Sequence, residues 1–274
     1  MPELPEVETI RRDLVSVVTG KQITDVTVLL PKMVRRQGSQ DELIGRARGR
    51  TVQRVRRRGK SLLCILDSLD ILVFRLGMTG QLLWSHPDCL PDEDKHTHVI
   101  IHFEKGGRIL FRDIRQFGEM YLVKKGALEK ILQMGAEPLH KSFTLEALKK
   151  ISSSSVKIKH LLMDQKKIAG IGNIYSDEIL FEAGIHPCKP ASSLKGKELQ
   201  SLHNAIGTIL REAIACKGDT LSDYRTPFGE KGQYQHFHRV YQRGGETCRR
   251  CPAPIQRVKL SGRSCHFCPS CQRE

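Results

Sequence analysis

The sequence predicts an α+β protein: antiparallel sheets stacked as a sandwich over residues 21–125, helices beyond about residue 135, and a cysteine-rich hairpin at the end of the chain. Three observations carry this. Short apolar runs with strand-like alternation fill the first part, the hydrophobic period becomes helical after residue 135, and five of nine cysteines crowd into the last 27 residues.

The opening stretch MPELPEVETIRRDLVSVV reads as a helix from Pro5 onward. Proline suits the first helical turn, Glu6 and Glu8 sit at the positive end of the dipole, and Val7, Ile10, Leu14 and Val18 recur at helical spacing. On local physics alone, Pro2 and Glu3 belong to a tail ahead of that helix. Strands follow in KQITDVTVLL, where Ile23, Val26, Val28 and Leu30 mark the pattern, and in SLLCIL, DILVF, HVIIHF and RILF, with EKGGR as a hairpin turn. In RVRRRGK, alternation puts Arg54, Arg56, Arg58 and Lys60 on one face, either a phosphate track or a solvated edge strand. Further on, Leu199, Leu202, Ile206, Ile209 and Ala213 mark one helix, and SDEILFEAG marks another stopped by Gly184. Residues 216–241 are too polar and glycine-rich for a core element and read as a functional loop.

Composition restricts function. The chain of 274 residues has room for about two domains, and no apolar run long enough to span a bilayer is present. With 45 Lys+Arg against 30 Asp+Glu, the formal charge is +15, which favours a polyanion, nucleic acid before membrane. In AGIGNIYSDEIL, two glycines before a helix could present backbone amides to a phosphate, a weak signal by itself.

The tail GETCRRCPAPIQRVKLSGRSCHFCPSCQRE contains a CxxC pair, sixteen residues, and a second CxxC pair, the spacing of two knuckles closing a tetrahedral zinc site. Cys265 and Cys268 form a CxxC of their own, so either Cys265 or Cys271 is the spare thiol. Cys248, Cys251, Cys268 and Cys271 are preferred, because that register leaves a longer hairpin with Ile255, Val258 and Leu260 between the knuckles. Zinc is favoured over iron by the basic surround of Arg249, Arg250, Arg257, Lys259 and Arg263.

The segments MPELPEVET, RRRGK, RLGMTGQL, DIRQFGEM, GAEPL, GIGNIYSDEILF, GDTLSDY and GRSCHFCPSCQ occur in the order and at the intervals of the bacterial formamidopyrimidine-DNA glycosylases of the MutM type. The chain resembles that family over essentially its whole length. The resemblance implies a two-layered β-sandwich with an N-terminal helix over residues 1–134, a helical helix-two-turn-helix domain with a lesion-capping loop over 135–241, and a four-cysteine zinc finger over 242–274, with duplex DNA in the cleft between domains. It also implies a cytoplasmic bacterial repair enzyme, expected as a monomer, that excises 8-oxoguanine and formamidopyrimidines through a Schiff base and then cleaves the strand by β,δ-elimination.

The resemblance also reassigns the tail. Pro2 becomes the nucleophile, Glu3 the proton donor to the opening sugar, and Glu6 a supporting group. Lys60, Asn173 and Arg263 match residues that hold the backbone around the extruded nucleotide, and Met78, Arg115 and Phe117 match the trio that fills the vacated space. Arg75, Gln116 and Cys265 depart from the common pattern. Leu4 in PELPE argues against the endonuclease VIII-like branch, which opens PEGPE. A DNA-binding protein without catalysis would require a retained Met1 or a blocked Pro2.

Overall fold

In the computed structural model, residues 1–86 and 94–273 are described; Cys89 lies outside them. The chain forms two compact units, residues 1–133 with 216–233, and residues 134–215 with 234–274.

In the first unit, α1 (Leu4–Val18) buries Val7, Ile10, Leu14 and Val18 along one face, the stripe its spacing predicts. The helix begins one residue before Pro5, with Glu3 as its N-cap and both Pro2 and Glu3 buried, which corrects the local assignment of a tail. After β1 (Ile23–Val28), a 3₁₀ turn at Pro31–Val34 leads to α2 (Gln40–Ala47), whose N-cap Ser39 accepts from Glu42 N–H at 3.0 Å. Seven strands follow: β2 (Val52–Arg58), β3 (Ser61–Leu66), β4 (Asp70–Arg75), β5 (Gly80–Ser85), β6 (Thr97–Phe103), β7 (Arg108–Asp113) and β8 (Glu119–Lys124). They form two antiparallel four-stranded sheets with β1, ordered β1-β6-β7-β5 and β2-β3-β4-β8.

The core joins the inward faces of both sheets to α1. On β4, Leu72 and Phe74 enter it beside Leu82, Phe111 and Met120, while the alternate residues Ile71 and Val73 join Leu63, Tyr121 and Val123 in a smaller cluster under Leu128 of α3 (Leu128–Leu132). Both faces of β4 are thus apolar, which is why DILVF reads as an unbroken run. The predicted cation row is shorter than alternation suggested. β2 ends at Arg58, Gly59 takes φ +55°, and Lys60 falls in the β2–β3 turn, leaving Arg54 and Arg56 as exposed residues of the row.

The second unit contains α4 (Leu145–Ile151), α5 (Ile158–Met163), α6 (Asn173–Ala183) and α7 (Gly196–Ala215), then the hairpin β9 (Gln256–Leu260) and β10 (Arg263–Phe267). Gly184 caps α6 in the left-handed conformation at φ +70°, as its position after the helical pattern predicts. α7 buries Leu199, Leu202, Ile206, Ile209 and Ala213 on one face. α6 differs, because it is buried nearly all round and carries Asp177 and Glu178 into the interior.

Candidate active site and zinc centre

The first turn of α1 holds a buried acidic pair in a capping box. Glu3 N–H donates to Glu6 Oε2 at 2.7 Å, and the other Glu6 oxygen accepts from Asp219 N–H at 2.8 Å. One carboxylate therefore ties the start of the chain to the loop at 216–233 of the same unit. Gly218 permits that approach: its φ is +84°, and a Cβ there would stand 2.8 Å from Glu6 Oε1. The loop is held further by Gln81, whose side chain donates to Asp223 O, and by Trp84 N–H, which donates to Pro227 O at 2.8 Å. Met1 is 56% exposed while Pro2, Glu3 and Glu6 are buried, so a chain that starts at Pro2 keeps this core.

Met78, distant in sequence from Arg115 and Phe117, joins them in an exposed cluster of this unit. Arg115 Nη1 lies 3.1 Å from Met78 Sδ, and its guanidinium lies 4.9 Å from the centre of the Phe117 ring. The organiser is Asp113, fully buried at the end of β7. Its carboxylate accepts from Thr79 Oγ1, from Arg115 N–H at 3.2 Å and from Gly118 N–H at 2.7 Å, locking both turns. Gly77 completes the junction, since a Cβ would stand 2.8 Å from the Phe117 carbonyl carbon. Lys60 is half-buried in its turn, and the neighbouring Arg57 pairs with Glu8 at 3.3 Å.

In the second unit, Asn173 opens α6 and Arg263 opens β10. The loop before Asn173 is braced by Gln165, whose side chain accepts from Gly170 N–H at 2.8 Å and donates to Ile171 O at 2.7 Å. Asn173 Oδ1 is buried without a hydrogen-bond partner among the described residues. Arg263 is exposed, and the residue after it is anchored: Lys159 Nζ donates to Ser264 O at 3.0 Å and to Asp177 Oδ1 at 2.6 Å. The other Asp177 oxygen accepts from His266 N–H at 2.9 Å. Glu178 accepts from the backbone N–H groups of Arg239, Val240 and Tyr241 at 2.9–3.1 Å, fixing the chain as it enters the finger. Asp113, Lys159, Asp177, Glu178 and Asp219 escape sequence reasoning as site residues, because single acids and lysines inside strands, helices and loops carry no spacing signal.

The sulfurs of Cys248, Cys251, Cys268 and Cys271 lie within 4.8 Å of one another, the register preferred from the sequence. Cys251 to Cys268, Cys251 to Cys271 and Cys248 to Cys271 measure 3.5, 3.6 and 3.9 Å. A ZnS₄ tetrahedron with bonds of about 2.3 Å has edges near 3.8 Å, so four thiolates here fit zinc. Cys265 lies elsewhere, fully buried with Leu260, Phe267 and Cys188, and burial pushes its thiol up to about 12. Arg250 packs the finger against α6, its guanidinium 4.5 Å from the Phe181 ring.

Sandwich, helices and four-thiolate finger define the class of zinc-finger base-excision glycosylases, and the sequence comparisons agree segment by segment. Residues 1–120 match the formamidopyrimidine-DNA glycosylase N-terminal domain, residues 134–225 its H2TH domain, and residues 245–273 the zinc finger found in FPG and IleRS. The formamidopyrimidine-DNA glycosylase of Brevibacillus brevis is 43% identical, with 100% of this chain and 99% of that protein covered, and that of Shouchella clausii is 41% identical with 99% of each covered. Among solved structures, a Lactococcus lactis FPG mutant bound to Fapy-dG DNA matches with a TM-score of 0.91 at 35% identity, and the L. lactis Fpg complex with abasic-site DNA with a TM-score of 0.91 at 34%; between 99 and 100% of each chain is covered. The chain belongs to the formamidopyrimidine-DNA glycosylase family.

Proposed function

We infer that this protein is a base-excision glycosylase and AP lyase that removes oxidised purines, 8-oxoguanine and formamidopyrimidines, from duplex DNA. The observation that carries it is the buried start of α1, where Pro2 and Glu3 are buried, Glu3 is bonded to Glu6, and Glu6 meets the 216–233 loop. An attacking amine must be neutral. A terminal amine with a pKa of about 7.7–8.0 is roughly a third neutral at pH 7.5, against about one part in a thousand for a lysine. The Pro2 nitrogen attacks C1′, the damaged base leaves, and Glu3 delivers a proton to the ring oxygen as the sugar opens. The secondary amine gives a charged iminium, an electron sink that acidifies the adjacent carbon and permits β- and δ-elimination.

In this scheme Lys60, Asn173 and Arg263 bind backbone phosphates, while Met78, Arg115 and Phe117 occupy the space the extruded nucleotide leaves. Zinc, held by Cys248, Cys251, Cys268 and Cys271, supplies structure: it fixes the hairpin that presents Arg263. The proposed division is a catalytic domain over 1–134, a helix-two-turn-helix domain over 135–241 and the finger over 242–274, with the capping-loop residues 216–233 belonging to the first compact unit although they fall within 135–241 in sequence. Its place of action is the bacterial cytoplasm, on the chromosome. No helix among the described residues is long and apolar enough to cross a membrane.

Borohydride treatment of the enzyme with an 8-oxoguanine duplex is expected to trap a covalent adduct through Pro2. Pro2→Gly and Glu3→Gln should each nearly abolish single-turnover excision and leave lesion binding within about tenfold, as for groups used in the transition state. Trapping through Lys60, or near-normal excision by Glu3→Gln, would overturn the assignment.

A further inference from the structure

Glu119, the first residue of β8, lies opposite Arg75 in the β4–β8 register. Its carboxylate, about a tenth exposed, faces three guanidinium groups: Arg35 Nη2 at 2.5 Å, Arg36 Nε at 2.8 Å and Arg75 Nη1 at 3.4 Å. None of these arginines pairs with another carboxylate among the described residues, so the cluster carries a surplus of two positive charges. Cations held this close repel one another, and a second anion would relieve what Glu119 leaves uncompensated.

The cluster is built into the fold. Met33 and Val34 are buried, Gln37 Oε1 accepts from Leu122 N–H at 3.0 Å, and the Arg36 guanidinium lies 5.3 Å from the Tyr121 ring centre. The three side chains are nonetheless 41, 39 and 45% exposed. Each guanidinium offers five N–H donors, and protein acceptors use one or two of them, leaving most for a ligand. Edge protection does not account for this arrangement, because Gln37 already covers part of β8.

We propose that Arg35, Arg36 and Arg75, gathered on Glu119, form a phosphate clamp that grips the DNA backbone at the base of the Met78–Arg115–Phe117 projection. Position supports this occupant. Arg75 precedes Met78 by three residues and Glu119 follows Phe117 by two, so a duplex engaged by the projection passes the clamp. Arginine forks match phosphate oxygens in pairs, and free phosphate would gain the same bonds without the neighbouring projection.

The proposal rests on the DNA-repair assignment, and the test separates the two. Affinity is measured against salt for an undamaged duplex and for the same duplex with one abasic-site analogue. Arg35→Gln with Arg36→Gln should weaken both complexes by a similar factor, roughly tenfold at low salt. It should also reduce the log–log salt slope by about one unit for each phosphate that is no longer neutralised. Arg35→Lys with Arg36→Lys should restore the slope, because counterion release follows charge. Should the double glutamine protein fail to fold, Arg75→Gln reads the same weakening. An unchanged slope in the glutamine variants, or a slope reduced equally in the lysine variant, overturns the clamp while wild-type binding leaves the repair assignment standing. Failure of the wild type to bind duplex DNA overturns both. Inorganic phosphate at millimolar concentration that weakens DNA binding no more than chloride of equal ionic strength agrees with a clamp specific to the backbone; strong, selective competition would make the ligand free phosphate and overturn the proposal.

Discussion

Glu6 serves two partners with one carboxylate, and Gly218 is the residue that lets it. An alanine at Gly218 would need the left-handed backbone that costs an L-residue about 1–2 kcal/mol, and its Cβ would press on Glu6 Oε1. Gly218→Ala is therefore expected to slow excision at least tenfold, while binding of an abasic duplex changes little; comparing single-turnover rates with equilibrium binding checks this, and an unaltered rate would mean that the loop does not depend on Glu6. Glu8, two residues further along, shows what charge does on the same helix. Burial alone would raise its pKa, but hydrogen bonds from Arg11 and Arg12 and the charges of Arg11 and Arg57 hold it below the usual glutamate value. The sign follows: a carboxyl with a depressed folded pKa contributes fully above its unfolded pKa of about 4.3, and that contribution fades as pH falls through the folded value. Glu8→Gln should thus be less stable than wild type at pH 7, with a gap in denaturation midpoint that persists down to about pH 4.3 and narrows progressively as pH falls further, through the depressed folded pKa. A constant gap across that range would show that packing, not charge, is what Glu8 contributes.

At the scale of elements, α6 and the C-terminal hairpin act as one assembly. Lys159 and Asp177 are 1 and 0% exposed, and together they hold Ser264 and His266 of β10, so a buried ion pair positions the strand that begins with Arg263. Breaking such a pair leaves an uncompensated interior charge, worth about 3–5 kcal/mol. Asp177→Asn should lower stability by that order, whereas replacing Lys159 and Asp177 together by Met and Leu should recover most of it; urea unfolding of the zinc-loaded protein distinguishes the outcomes, and an additive double variant would remove the pair's claim to act as a unit. The same hairpin separates two kinds of cysteine. Cys268→Ser should release zinc and weaken DNA binding, whereas Cys265→Ser should keep the metal, because Cys265 packs with Leu260 and Phe267 away from the four sulfurs. Metal content after dialysis decides this; loss of zinc from Cys265→Ser would contradict the observed register.

Over the whole molecule, what is legible in the sequence follows what periodicity can encode. The stripe of α1, the alternation of β1, the Gly184 stop and the knuckle spacing are readable because each is a local pattern with one physical cause. Alternation misplaces Lys60 because a single positive-φ glycine ends the strand, and local propensity assigns Glu3 to a tail because its partner Glu6 is itself held by Asp219 N–H, more than two hundred residues along the chain. Asp113 and Glu178 stay invisible for the same reason: their value lies in backbone N–H groups assembled by folding. The net charge, by contrast, needs no fold to be read. With +15 over 274 residues, the electrostatic attraction for DNA is large and largely blind to sequence, so affinity for an undamaged duplex should fall steeply with salt. The groups assigned to the lesion act differently: the Glu3–Glu6 pair is buried, and Met78 and Phe117 are uncharged. Their contribution should not depend on counterion release, while phosphate contacts are common to damaged and undamaged DNA. The expected outcome is a pair of parallel lines: log affinity against log salt falls with the same slope for an 8-oxoguanine duplex and its undamaged counterpart, and their ratio stays within about twofold between 50 and 200 mM salt. A ratio that collapses as salt rises would place lesion discrimination on the charged surface, and would transfer the recognition role from the α1 site to the arginines.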